Sequence, residues 1–339
     1  MGVYYIGAFP IEGGGVTIKN RDLFIALKGK GVQIKAIDLN KITRGRNLWE
    51  LVRLLVVLVC PWNRFVVGIS TGRSTRRRFS KVLSVVNRRA MRRSIIMVMG
   101  GTDAHNIAVD ADYRHCMSFY KRIYVETPKM LEELRNSGLT NGDYYPNGRF
   151  RSDEEYKVND NCTGRLKCVF FSYIRKEKGA DIVLEAAKRL PNVDFAFYGS
   201  VYDEYAAEFE QEVSVVKNAE YKGNFQGTPK QVYRELNGYD VLLLPTRYKT
   251  EGVPGILVEA KIGAITSIVS DESHNSEIVD NGVDGIVLQD NTVDDLCDSI
   301  LSLDRNRKLL YELKSQSQHS AENYYIENYI DGLAKDLLE

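Results

Sequence analysis

Short runs of β-branched and aromatic residues alternate with helical stretches from one end of this chain to the other, and the alternation restarts once after a polar interruption. Parallel strands need a crossover of a dozen or more residues, and a helix supplies it. The expected class is therefore α/β, with two doubly wound sheets. In the first half the pattern predicts strands at 3–7, 32–38, 65–69, 95–99 and 123–126, with helices near 17–28, 48–59, 76–91, 111–120 and 128–137. Asn141-Gly142 and Asn147-Gly148 read as turns, and residues 150–164 as a linker or exposed loop. The second half predicts strands at 168–172, 194–198, 220–223, 241–244 and 266–269, with helices near 180–189, 204–216, 229–236 and 255–261. The division is into residues 1–150, residues 165–320 and a tail at 321–339. Sheets of this kind hold ligands at the carboxyl ends of their strands, and a cleft between the domains is the expected site.

A length of 339 residues suits two domains. The formal charge of +1 is a cancellation: residues 1–100 hold 19 Lys+Arg against 4 Asp+Glu, and the remainder hold 27 against 41. Between Leu51 and Thr102 there are eleven Lys+Arg and no acidic residue. Such a face attracts polyanions, with nucleic acid, an anionic bilayer or a lipid diphosphate as candidates. Aromatics are scarce among these cations, which argues against single-stranded nucleic acid. The apolar stretch from Leu54 to Asn63 is too short to cross a bilayer, which takes about 20 residues. It reads as a buried helix in preference to an interfacial one, although Trp49 and Trp62 suit headgroup depth. The five cysteines show neither disulfide nor zinc spacing, and the start of the chain shows no signal-peptide pattern, so a reducing cytoplasm is expected.

The richest stretch runs from Asp240 to Ala260. A buried strand ends at Pro245, a loop carries Glu251, and a helix opens near Pro254 with Glu259 more than a turn inside it. Gly252 and Gly255 let an anion approach the free N–H groups of that helix start, which suits a diphosphate. A second basic loop, Tyr173-Ile-Arg175-Lys-Glu-Lys178-Gly179, also follows a strand and opens a helix. Near the N-terminus, Gly13-Gly14-Gly15-Val16-Thr17 follows a strand and begins a helix. Together with Asp38 it partly imitates a dinucleotide-binding fingerprint, but Ile18 stands at the third glycine position. Asp103 and His105 follow the strand at 95–99 and Gly100-Gly101, so they belong at a strand's carboxyl end.

Glu251-Gly-Val-Pro254 with Glu259 resembles the E-G-x-P-x-x-x-x-E motif of the retaining nucleotide-sugar glycosyltransferases of family 4, which have the GT-B fold of two Rossmann-like domains facing a cleft. The likeness extends to the glycine loop, Thr127, Pro146-Asn147-Gly148, Lys178-Gly179 and the stretch from Asp271 to Glu277. It implies that Glu251 contacts the transferred sugar and Glu259 the ribose hydroxyls. Lys178 would neutralise the donor diphosphate. The family's usual Arg position holds Tyr173, which leaves Arg175, two residues along, as the second cation. Gly252, Val253, Pro254, Gly255, Gly199, Gly14 and Gly15 fall on the donor side by the same resemblance, and Asp103, His105 and Thr17 on the acceptor side, with Asp103 a candidate catalytic group. The tail from about Ser320 to Glu339 reads as a closing helix that, by the same resemblance, crosses back to the first domain. The expected activity is metal-independent, cofactor-free hexosyl transfer from a UDP-, GDP- or ADP-sugar to a saccharide or lipid-linked saccharide in surface polysaccharide synthesis. Residues 44–93 would face the membrane, with no nucleic-acid partner. An impaired sugar-nucleotide binder and a nicotinamide oxidoreductase are the alternative readings.

Overall fold

The computed structural model describes residues 2–10, 15–72, 74–160, 163–249 and 252–339. The chain divides into two compact units, one formed by Met1–Arg151 with Tyr325–Glu339 and the other by Ser152–Tyr324.

The first unit holds strands β1 (Val3–Gly7), β2 (Ile34–Asp38), β3 (Arg64–Val67), β4 (Ile95–Val98), β5 (Arg122–Val125) and β6 (Gly142–Tyr144). They form one parallel sheet in the order β2-β1-β3-β4-β5-β6. Every residue of β3 and β4 is buried, as expected of strands covered on both faces. The helices are α1 (Gly15–Gly29), α2 (Leu39–Thr43), α3 (Leu48–Val59), α4 (Thr75–Val86), α5 (Arg88–Met91), α6 (Asp103–Val109), α7 (Ala111–Met117) and α8 (Pro128–Asn136). The order of strands reverses between β1 and β3. There α1 comes close to the sheet through Asn20, which donates to the Ala8 carbonyl at 2.9 Å and accepts from Tyr5 at 2.9 Å. A Cβ on Gly68 would collide with both side chains.

The second unit repeats the plan with β7 (Lys167–Phe171), β8 (Asp194–Tyr198), β9 (Ala219–Gly223), β10 (Val241–Leu244), β11 (Thr266–Ser270) and β12 (Gly285–Leu288), all parallel in the order β12-β11-β10-β7-β8-β9. Its helices are α9 (Ala180–Arg189), α10 (Asp203–Val215), α11 (Pro229–Asn237), α12 (Gly255–Ile262), α13 (Val293–Arg305) and α14 (Arg307–Ser320). Here the switch point lies between β7 and β10. Two buried ion pairs fix the frame. Lys314 of α14 meets Asp240 at 3.0 Å, and Asp240 also accepts from the Lys167 amide at the start of β7. Lys261 of α12 meets Asp284 at 2.5 Å; burial lowers the Lys261 ammonium pKa, and Asp284 opposes that shift.

Several expectations are corrected. The tail is not one helix from 320: α14 ends at Ser320, 3-10 turns follow at Ala321–Tyr324 and Ile326–Asn328, and α15 (Ile330–Leu338) closes the chain. Residues 321–324 stay with the second unit, whereas α15 buries Ile330, Leu333 and Leu337 in the core shared by Leu27 and Met97. The Asn141-Gly142 turn opens β6, and Asp103 and His105 lie in a helix of their own. Helix α3 occupies its expected span but is not a buried helix, since only Val57 and Leu58 of its apolar residues are buried.

Candidate functional site

At the switch point of the second unit, the loops after β7 and β10 are tied together. The Glu177 carbonyl accepts from the Arg247 amide at 2.8 Å and from the Thr246 hydroxyl at 3.1 Å. Arg247 also bonds the Lys176 carbonyl at 2.9 Å and pairs with Asp181 at 3.0 Å. Gly179 has φ +82°, and a Cβ there would run into the Pro245 carbonyl oxygen. Only glycine allows this approach without displacing the backbone. Gly199, with φ +139°, meets the Ser172 carbonyl in the same way at the end of β8. These two glycines therefore set the distance between neighbouring loops, which is a structural reason for their place in the pattern.

The tied loops bring two cations onto one ring. The Arg175 guanidinium lies 4.8 Å from the centre of Tyr248 and the Lys178 ammonium 5.1 Å from it. Lys178 is 4% exposed. The Arg175 Nε is buried without a hydrogen-bond partner, and Tyr202 flanks the same guanidinium at 5.3 Å. Tyr173 is exposed and packs edge-on against Tyr202 at 6.1 Å. Position 173 therefore supplies an aromatic wall, and the second cation comes from position 175. Two cations held on an aromatic face carry a donor capacity that suits an anion.

The loop from β10 continues into Gly252, Val253 and Pro254, all buried, and α12 starts at Gly255. Pro254 is the cap residue, one place before the helical position expected of it. It has no side-chain oxygen, so it makes no side-chain cap hydrogen bond of its own. The first N–H groups of any α-helix lack intrahelical partners, and an anion is one of the partners that can take them. Glu259 sits five positions beyond the cap on the same helix, half-buried. Glu251 lies outside the described residues. The loop after β11 joins the same end of the sheet: Ser270 donates to the Thr246 carbonyl at 2.6 Å, Ser273 to the Tyr248 carbonyl at 2.9 Å, and His274 meets Glu277 at 2.6 Å. That network holds Tyr248, and through it the cation pair.

In the first unit, the carboxyl ends of β1, β4 and β5 carry the other predicted residues. Gly14 lies outside the described residues; Gly15 opens α1, with Thr17 half-buried in its first turn. Asp103 is the first residue of α6 and pairs with Arg76. Arg76 is buried, donates to the Met99 carbonyl at 3.2 Å and has its pKa lowered by burial. Asp103 thus balances a buried cation at the β4 end. His105 is largely exposed and meets Glu133 at 2.7 Å. Sequence reasoning missed the pair Lys19–Glu126, at 2.5 Å, which joins α1 to the end of β5 beside a small cavity that Tyr145 and Asn147 also line. No local pattern marks it, since the partners are 107 residues apart. Asp38 serves as the cap of α2, accepting from Asn40 at 3.0 Å and from the Phe9 amide at 3.2 Å. Its carboxylate is engaged by the backbone, which argues against the ribose contact of a nicotinamide site. No cluster of three or more metal-ligating side chains occurs among the described residues.

Two α/β units, each built on one parallel six-stranded sheet with flanking helices, define the GT-B architecture of glycosyltransferases. Residues 152–320, which fall in the second unit, match the family model described as Glycosyl transferases group 1. Among solved structures the chain is similar to HepE (Alr3699) of Anabaena in complex with UDP, at 12% identity over 99% of both chains and a TM-score of 0.73. It is also similar to sucrose-phosphate synthase from Thermosynechococcus elongatus, at 11% identity over 99% of this chain and 98% of that one, TM-score 0.74. A third likeness is to WaaG, a glycosyltransferase involved in lipopolysaccharide biosynthesis, at 11% identity over 99% of both chains, TM-score 0.63. No curated protein matches the sequence.

Proposed function

We propose that the chain is a retaining glycosyltransferase that moves a hexosyl unit from a UDP-, GDP- or ADP-sugar to a saccharide or lipid-linked saccharide, in the synthesis of a surface polysaccharide. The observation that carries this reading is the convergence of Arg175 and Lys178 on Tyr248, at the switch point of a group 1 glycosyltransferase domain. The donor diphosphate would lie between these cations and the N-terminal end of α12. As the bond to the sugar breaks, negative charge grows on the leaving phosphate, and fixed cations stabilise it without reorganising. By the family resemblance, Glu251 orients the sugar, Glu259 holds the ribose hydroxyls, and Gly14, Gly15, Gly199, Gly252, Val253, Pro254 and Gly255 bring backbone close to the donor. Thr17, Asp103 and His105 belong to the acceptor side, Asp103 through the turn it fixes with Arg76. The departing phosphate takes the acceptor proton, so this reading calls on no metal and no cofactor.

HepE has been crystallised with UDP-glucose, which makes uridine diphosphate sugars the first donors to try. The acceptor end includes a peripheral contact with an anionic membrane through residues 44–93. Incubation with each sugar nucleotide in turn, followed by measurement of nucleoside diphosphate release, tests transfer or its slow hydrolytic counterpart. Release from one donor class, stimulated by a saccharide acceptor, supports the reading. Tight binding with no release from any donor would favour a sugar-nucleotide binder instead.

A further inference from the structure

Ten of the eighteen large apolar residues exposed among the described residues fall between Leu48 and Val86. On α3 they are Leu48, Trp49, Val52, Leu55, Val56 and Val59, and Trp49 is 81% exposed. Leu48, Val52, Leu55, Val56 and Val59 follow the spacing of a single helix face. The opposite side buries Val57 and Leu58 in the core with Leu39 and Phe65. On α4, Val82, Val85 and Val86 are exposed while Leu83 is buried, and Val85 is 79% exposed. The C-terminal ends of the two helices meet. The Asn87 side-chain Nδ2, at the end of α4, donates to the Leu58 carbonyl at 2.7 Å, and the Arg89 guanidinium lies 4.0 Å from the Trp62 ring. The exposed apolar residues therefore continue from one helix to the other.

A surface of this kind in water needs an occupant. Its rim is cationic: Arg44, Arg46, Arg53, Arg77, Arg78, Lys81, Arg88, Arg89 and Arg92 are all exposed. Arg44, Arg46, Arg78 and Lys81 make no ion pair among the described residues. The one acid on α3, Glu50, faces Arg53 at 3.4 Å and accepts from the Asp38 amide at 3.0 Å. A second copy of the chain would set this basic rim against itself, and a polyanion without an apolar layer would leave the valines and leucines in water. An anionic bilayer satisfies both features, with phosphate headgroups around the rim and acyl chains beneath it.

We infer that α3 and the C-terminal half of α4 form a surface that lies in the headgroup plane of an anionic membrane. Helix α3 is roughly 18 Å long, so it lies along the bilayer surface, with Trp49 and Trp62 at interfacial depth. No helix among the described residues is long and apolar enough to cross a membrane. The inference deepens the acceptor side of the proposed function and rests on that reading for its purpose.

The test is sedimentation of the full chain with vesicles of phosphatidylcholine alone or with about one-third phosphatidylglycerol, at low and high salt. Binding should favour the anionic vesicles at least about tenfold and fall with salt. The double substitution Leu55→Glu with Val59→Glu, at exposed positions, should cut partition about tenfold or more while leaving the melting temperature unchanged. Arg78→Gln with Lys81→Gln should reduce partition about fivefold per cation removed and flatten the salt dependence. Equal partition of wild type and the Leu55→Glu/Val59→Glu protein would overturn the inference. So would absence of vesicle binding together with a dimer, detected by light scattering, that the same substitutions dissociate. A melting-temperature shift with sugar nucleotide, measured on the same preparations, keeps the two ideas apart. Failure of vesicle binding with the shift intact rejects the surface, and vesicle binding with no shift rejects the transfer reading.

Discussion

The two units share a parallel six-stranded plan but use charge in opposite ways. The first holds 27 Lys+Arg against 15 Asp+Glu, net +12, and the second 19 against 30, net −11. The positive unit turns many of its cations outward around an apolar helix face. The negative unit draws a few cations inward, two onto Tyr248 and two into buried pairs with Asp240 and Asp284. Net charge thus says little about how each unit places its cations. In the second unit two cations stand at a strand switch point within an acidic background, and a buried charge carries more electrostatic weight than an exposed lysine has.

The largest effect should come from breaking a buried pair in the acidic unit. Lys314→Ala leaves Asp240 buried and uncompensated, and a loss of about 3–5 kcal/mol in unfolding free energy is expected. Denaturant titration reads it. The parallel cut in the basic unit, Asp103→Ala, strands the buried Arg76 and should cost a similar amount. Its turnover, measured well below the melting temperature, then separates an acceptor role from a structural one. Next comes Lys178→Ala, with an expected drop of about 10²–10³ in turnover. Arg175→Ala should fall in the same range, whereas Tyr173→Phe should change turnover less than about twofold. A strong effect at Tyr173 with none at Arg175 would reverse the assignment of the second cation.

A subtler contrast concerns the two glutamates. Glu259→Ala should weaken nucleotide binding about tenfold, the loss of one or two hydrogen bonds to a buried ligand. Glu251→Ala should leave binding nearly intact and lower turnover. Equal losses of binding in both would contradict their separate roles.

Much of the second unit was legible because its signals are local. A strand, a basic loop, Lys178-Gly179 and a helix occur within about twenty residues, and the same is true of the run from Asp240 to Glu259. Glycine at 179 marks a left-handed turn that sequence pattern can register, although its partner, the Pro245 carbonyl, cannot be read from it. The first unit was less legible. Arg76–Asp103 and Lys19–Glu126 join distant parts of the chain, and only the sheet order brings them together. Helix α3 shows the limit most plainly. Apolar residues occupy nearly all of its circumference, the usual mark of a buried helix, but the core needs only the side that carries Val57 and Leu58. Which part remains exposed depends on packing partners that periodicity does not name.

The central claim is that the β7/β10 crevice grips a sugar nucleotide through Arg175 and Lys178. Its most direct measurement is the melting temperature of the wild type and of Lys178→Ala across UDP-, GDP- and ADP-sugars at saturating concentration. One class should stabilise the wild type by about 2.7 kcal/mol at a hundred times its Kd, and Lys178→Ala should lose most of that gain. No shift with any sugar nucleotide, or an undiminished shift in Lys178→Ala, would contradict the account.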